Sequence, residues 1–188
     1  MSTAIDREAA ADAIEEFLRA LGRDPTREPE LTATAERVAD AWVDELLGGY
    51  GVDVDALLSK NVFAGSSALV VVRDVPVATT CPHHLMPSTG IATVALAPDE
   101  HLVGVGTVAE MVDAFSRRLG TQEQLGERVT AALQKHLAPR WCACRIVLRH
   151  TCMTSRGSRS HGACVETLAL AGSDVDEAVV YAAVGVGR

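Results

Sequence analysis

The residues most able to do chemistry lie in two short stretches, Cys81-Pro82-His83-His84 and His150-Thr151-Cys152. A thiolate at Cys81 and an imidazole at His84, in a turn stiffened by Pro82, can hold one zinc ion. A lone Cys-x-x-His arises often by chance and weighs little by itself. The second stretch adds weight. Residues i and i+2 of a strand share a face, so a strand running through His150 and Cys152 presents both together. Cys152 is then a third ligand. Three protein ligands with an open fourth position are the catalytic zinc pattern, whereas structural sites are closed by four. Zinc lowers the pKa of a bound water to about 7, which makes a nucleophile at neutral pH. His83 and His150 are left as candidates for proton transfer.

These residues need a scaffold, and the hydrophobic pattern supplies one. Ile14, Phe17, Leu18 and Leu21 fall at helical spacing, and Gly22 and Pro25 stop that helix. Val38, Ala41, Trp42 and Leu46 line a second helix that Gly48 and Gly49 end. Both read as an N-terminal cap, residues 1–50, ahead of a catalytic region, residues 51–188. From residue 68 the pattern turns to strands. Ala68 to Arg73, Val77 to Thr80 and Gly90 to Ala97 are three β-type runs, with Pro76 arguing for a break or an edge position between the first two. Two helices follow, one carrying Val108, Met111, Val112, Phe115 and Leu119, the other Leu125, Val129, Leu133 and Leu137. Trp141 to His150 and Cys164 to Ala171 are strands again, and Asp174 to Arg188 reads as a weak helix or loose tail. Antiparallel strands around two adjacent helices make an α+β arrangement.

Composition narrows the function. The chain has 188 residues, 48% hydrophobic and 22% charged, which is enough apolar material for a core. A formal net charge of −8 gives no basic footprint for nucleic acid. No run reaches the length needed to span a bilayer. Met1 to Arg23 is charged throughout and has no apolar segment of the kind a secretory signal needs, so a cytoplasmic protein is expected. In a reducing compartment an odd set of five cysteines suggests metal binding or burial ahead of disulfides. Cys142, Cys144 and Cys164 read as buried small hydrophobes. Cys81 and Cys152 do not, because imidazoles lie beside both.

From Thr34 to Ala171 the chain resembles the GTP cyclohydrolase I family. Cys81-Pro82-His83-His84-Leu85-Met86-Pro87 is similar to the family's Cys-Glu-His-His-x-x-Pro segment. Ser116-Arg117-Arg118-Leu119 with Gln122-Glu123-Gln124-Leu125 resembles its Arg-Leu-Gln-Val-Gln-Glu-Arg-Leu segment. His150-Thr151-Cys152-Met153 with Arg156-Gly157 resembles its His-x-Cys-Met-x-x-Arg-Gly segment. The resemblance implies the tunnelling fold, in which subunits pool antiparallel strands into an oligomeric barrel, as a decamer of two pentamers with active sites between subunits. It implies zinc on Cys81, His84 and Cys152, and acid–base roles for His83 and His150. It places Gln122 and Glu123 on a guanine ring. A carboxylate suits guanine, since it accepts from N1–H and the exocyclic amine in a fork. The bland alternative for Gln122 and Glu123 is a solvated first helical turn.

The triphosphate-binding positions depart from that pattern. The family's Gly-Leu-Ser-Lys-x-x-Arg reads here Gly104-Val105-Gly106-Thr107-Val108-Ala109-Glu110. The lysine has become Thr107 and the arginine Glu110. The family's Thr-Pro-x-Arg-x-Ala-Lys reads Thr34-Ala35-Glu36-Arg37-Val38-Ala39-Asp40, with Arg37 kept and the lysine now Asp40. Arg156 is kept as well. Three cations thus give way to one neutral and two acidic residues, a swing from +3 to −2. One charge pair at about 6 Å is worth roughly 3 kcal/mol at an effective dielectric near 20. The leading expectation is therefore a zinc-dependent opening of a guanine-type purine at C8, on a substrate with few or no phosphates. Its pocket would include Arg37, Thr107, Glu110 and Arg156. The alternatives are the orthodox conversion of GTP to 7,8-dihydroneopterin triphosphate and formate, and a non-catalytic heterocycle-binding or regulatory paralogue.

Overall fold

A computed structural model describes residues 5–65, 68–173 and 175–186. They divide into two compact units between Gly48 and Gly49. No helix among the described residues is long and apolar enough to cross a membrane.

The first unit is helical. Asp6 caps helix α1 (Arg7–Ala20) by accepting from the Ala9 amide, and Arg19 stands in the last turn, where it complements the helix dipole. Helix α2 (Thr34–Asp40) runs on into a wider π turn, Ala41–Leu46. Arg7 ion-pairs with both Asp40 and Asp44, which fastens α1 to that second helical segment. The apolar stripe predicted on α1 is not buried, with Phe17 59% and Leu21 61% exposed.

The second unit is built on a four-stranded antiparallel sheet of order β2-β3-β5-β6. Its strands are β2 (Val70–Cys81), β3 (Met86–Ala97), β5 (Trp141–His150) and β6 (Val165–Gly172). A two-stranded pair, β1 (Val62–Ala64) with β4 (His101–Val103), stands beside it. Neither of these short strands shows in the hydrophobic pattern. The two runs predicted before residue 81 are one strand, not two. Pro76 is tolerated because β2 is an edge strand, and the register shift between Val72 and Val75 absorbs Asp74 in a left-handed conformation at φ 55°.

Alternation along the strands makes two buried faces. Ala92, Val94 and Leu96 of β3 pack with Cys142, Cys144 and Ile146 of β5 beneath three helices. These are α3 (Val54–Lys60), α4 (Val105–Ser116) and α5 (Gln122–Leu137). The alternate residues Ala95, Ala97, Trp141 and Ala143 pack on Val180 and Val184 of a last helix, α7 (Glu177–Val184). That helix settles the reading of the C-terminal stretch, although Asp174, Gly187 and Arg188 lie outside the described residues. Cys142 and Cys144 are fully buried among apolar neighbours, and desolvation pushes both thiols up to about 12. Cys164 departs from the expectation of burial, being exposed.

Two local devices set the start of α5, where the site lies. Thr121 and Gln124 form a reciprocal capping box that fixes the first turn. Gly126 lets the helix approach β6, since a Cβ there would meet the Ala169 Cβ at 3.0 Å.

Candidate active site

Strand ends and one helix start converge on a cavity of about 270 Å3. The β2–β3 hairpin contributes Cys81 at the end of β2, then the turn Pro82 to Leu85. That turn closes through the Leu85 amide on the Cys81 carbonyl at 2.9 Å, with Leu85 at φ 52°. Cys81, His83 and His84 all line the cavity from this tip. Strand β5 ends at His150, and the chain turns at once into a single helical turn, α6 (Thr151–Thr154). Thr151 Oγ donates to the Pro87 carbonyl at 2.6 Å and ties this turn to β3. Cys152 therefore sits on a helix, and the same-face argument that pairs it with His150 along a strand does not apply. The helical turn nevertheless brings Cys152 to the cavity wall with His150. Helix α5 supplies Gln122 and Glu123 from its first turn.

The hydrogen bonds inside this cavity are specific. His150 Nδ1 is 2.9 Å from Ser88 Oγ, and His150 Nε2 is 2.8 Å from Gln122 Oε1. Gln122 is only 3% exposed, and its Nε2 donates to the Ile146 and Val165 carbonyls at 2.8 and 3.0 Å. Its amide is thus fully engaged by the protein. It is neither a solvated helical-turn residue nor, in this arrangement, free to bind a base. Glu123 is exposed and lies on the cavity. Hydrogen bonds from its own backbone amide and from the Thr121 hydroxyl hold its carboxyl below the ordinary range, with His150 adding to the effect. It is accordingly an ionised acceptor at a helix start. Cys81 Sγ lies 3.5 Å from His83 Nδ1.

The proposed zinc donors fit that metal in kind. Two half-buried thiols and an imidazole from Cys81, Cys152 and His84 line one cavity. They are not drawn together in this structure: among the described residues no group of three or more His, Cys, Asp or Glu is placed to hold a metal ion.

Of the residues assigned to the phosphate side, Thr107, Glu110 and Arg156 of the second unit are not among those that line this cavity. Thr107 is buried in α4, and Glu110 lines a separate cavity of about 480 Å3 with Asp113 and Arg117. Arg156 is exposed on the segment after α6. Arg37 belongs to the first unit, where its guanidinium donates to Thr34 Oγ1 at 3.0 Å. Asp40 is ion-paired with Arg7, which it shares with Asp44, a partner that the motif comparison does not reveal. Sequence reasoning also misses Ser88, because it starts the third strand at Gly90. The strand begins at Met86, and its register sets Ser88 directly opposite His150.

Residues 10–183 match the family described as GTP cyclohydrolase I. A protein of Allorhizobium ampelinum named GTP cyclohydrolase 1 is 38% identical over 180 residues, covering 93% of this chain and 89% of that one. The protein of the same name from Leifsonia xyli subsp. xyli is 34% identical over 190 residues, 98% of both chains. Among solved structures, the apo form of an archaeosine synthase QueF-Like covers 59% of this chain and 100% of its own, with TM-score 0.47 at 17% identity.

Proposed function

The chain belongs to the GTP cyclohydrolase I family, and from that premise we propose that it hydrolyses GTP at C8 of guanine. That carbon leaves as formate, and the remainder recloses to 7,8-dihydroneopterin triphosphate. The observation that carries this reading is the convergence of Cys81, His83, His84, Glu123, His150 and Cys152 on one cavity. Glu123, kept ionised by the start of α5, accepts from N1–H and the exocyclic amine of guanine. His150 holds or moves a proton at Nε2, the atom that faces Gln122. His83 has Nδ1 directed at Cys81, which leaves its Nε2 for exchange with substrate or water. Cys81, His84 and Cys152 would hold zinc, whose Lewis acidity activates water at neutral pH.

The phosphates call for cations. Arg7 pairs with Asp40 but is shared with Asp44, so it offsets the −2 of the altered positions only in part. Arg149 and Arg159, both exposed, are further cations on the catalytic unit.

A second reading, ring opening of a guanine-type substrate with few or no phosphates, is favoured by Thr107 and Glu110, which put no cation on α4 where the family has two. GTP, guanosine and guanine, offered separately and followed by ultraviolet spectra and mass, decide between the two. A pterin triphosphate from GTP supports the first reading. Turnover of guanosine or guanine with GTP untouched overturns it in favour of the second.

A further inference from the structure

Ser88 is a buried polar residue on the wall of the cavity. It is 1% exposed, stands near the start of β3, and is the register partner of His150 on β5. Its Oγ is 2.9 Å from His150 Nδ1. Across the ring, Nε2 is 2.8 Å from Gln122 Oε1. The Gln122 amide cannot be turned over. Its Nε2 donates to two carbonyl oxygens, from Ile146 and Val165, and a flipped amide would set oxygen against both. Gln122 Oε1 therefore faces His150 and accepts from it. Nε2 therefore carries a hydrogen, and in the neutral ring, which has a single N–H, Nδ1 is bare. Nδ1 is then an acceptor and takes the Ser88 hydroxyl hydrogen.

We infer that Ser88 is a positioning residue: with Gln122 it holds His150 as the Nε2–H tautomer, with its ring plane fixed against the cavity wall. The inference rests on the proton-transfer role proposed above for His150. It also deepens it. The hydrogen is assigned to Nε2, where Gln122 Oε1 holds it, and Nδ1 is held by the serine. Without the hydroxyl, Nδ1 loses its partner, and the ring is free to exchange tautomers.

The test uses the full-length protein with its metal as purified, 15N-labelled at histidine and assigned through bonds. Wild type is expected to show a pyridine-type Nδ1 and a pyrrole-type Nε2 for His150. In Ser88→Ala both signals move toward averaged positions. Activity on GTP falls about tenfold or more in kcat with KM held within about twofold, a fraction of what a well-placed proton-transfer group contributes. Ser88→Thr, which keeps the hydroxyl, restores both. The opposite tautomer in wild type overturns the inference, as do His150 signals and kcat that Ser88→Ala leaves unchanged. If wild type does not convert GTP, the functional reading fails on its own, and the nitrogen signals still decide whether Ser88 fixes the ring.

Discussion

Replacing Gln122 by leucine separates a substrate-binding glutamine from one that supports the protein. The motif resemblance puts this side chain on guanine, and the structure spends all of its polar atoms elsewhere. Leucine fills a similar volume but removes both donors to the Ile146 and Val165 carbonyls and the acceptor for His150. Gln122 is 3% exposed, so water does not readily replace those bonds. A buried group left unsatisfied costs about 1–3 kcal/mol, and two carbonyls therefore cost about 2–4 kcal/mol, the low side of the sum because each keeps a second lone pair. For a chain of this size that lowers Tm by roughly 5–15 °C. Urea unfolding and thermal scans measure the loss, and steady-state kinetics on GTP measure the rest. The expected pattern is a stability loss with kcat reduced and KM little changed. Full stability with KM raised at constant kcat would refute the reasoning and return Gln122 to the substrate.

Asp55 on α3 accepts from Lys135 and His136 of α5, each at 2.7 Å, and these bonds hold its carboxyl below the ordinary carboxylate range. A depressed carboxyl stabilises the fold above its unfolded pKa and loses that contribution as pH falls through the folded value. Asp55→Asn should therefore lower Tm at neutral pH, with the gap to wild type closing as pH falls below the ordinary aspartate range. A gap independent of pH contradicts the account. Protein isolated without chelators should carry about one zinc per chain by elemental analysis, and Cys81→Ala, His84→Ala and Cys152→Ala should each lose most of it. Unchanged zinc in all three would remove the metal assignment.

The parts of the fold legible in the sequence are those where one physical signal dominates. The strand Trp141–His150 and the helix Gln122–Leu137 match the predicted runs because pattern, cap and breaker agree there. Helix α3 also has a local sequence signal, an Asp53 cap ahead of Val54 and Leu58 one turn apart. Strands β1 and β4 have three residues each, too few for any period to show. The site was legible as residue types and only partly as geometry. Spacing marked Cys81, His83, His84, His150 and Cys152 as chemical. Pairing across strands decides what each one touches, and pairing is a long-range property. Ser88 on His150, Gln122 locked to two strands, and Arg7 on Asp40 all join residues at least 24 positions apart. No local motif encodes them.

The central claim is that this cavity removes C8 from guanine. GTP labelled with 13C at C8 tests it most directly, with products read by 13C NMR. The account predicts that the label appears in free formate, one formate for each triphosphorylated pterin formed. Label that stays in the heterocycle, or formate released from guanosine and never from GTP, would contradict it.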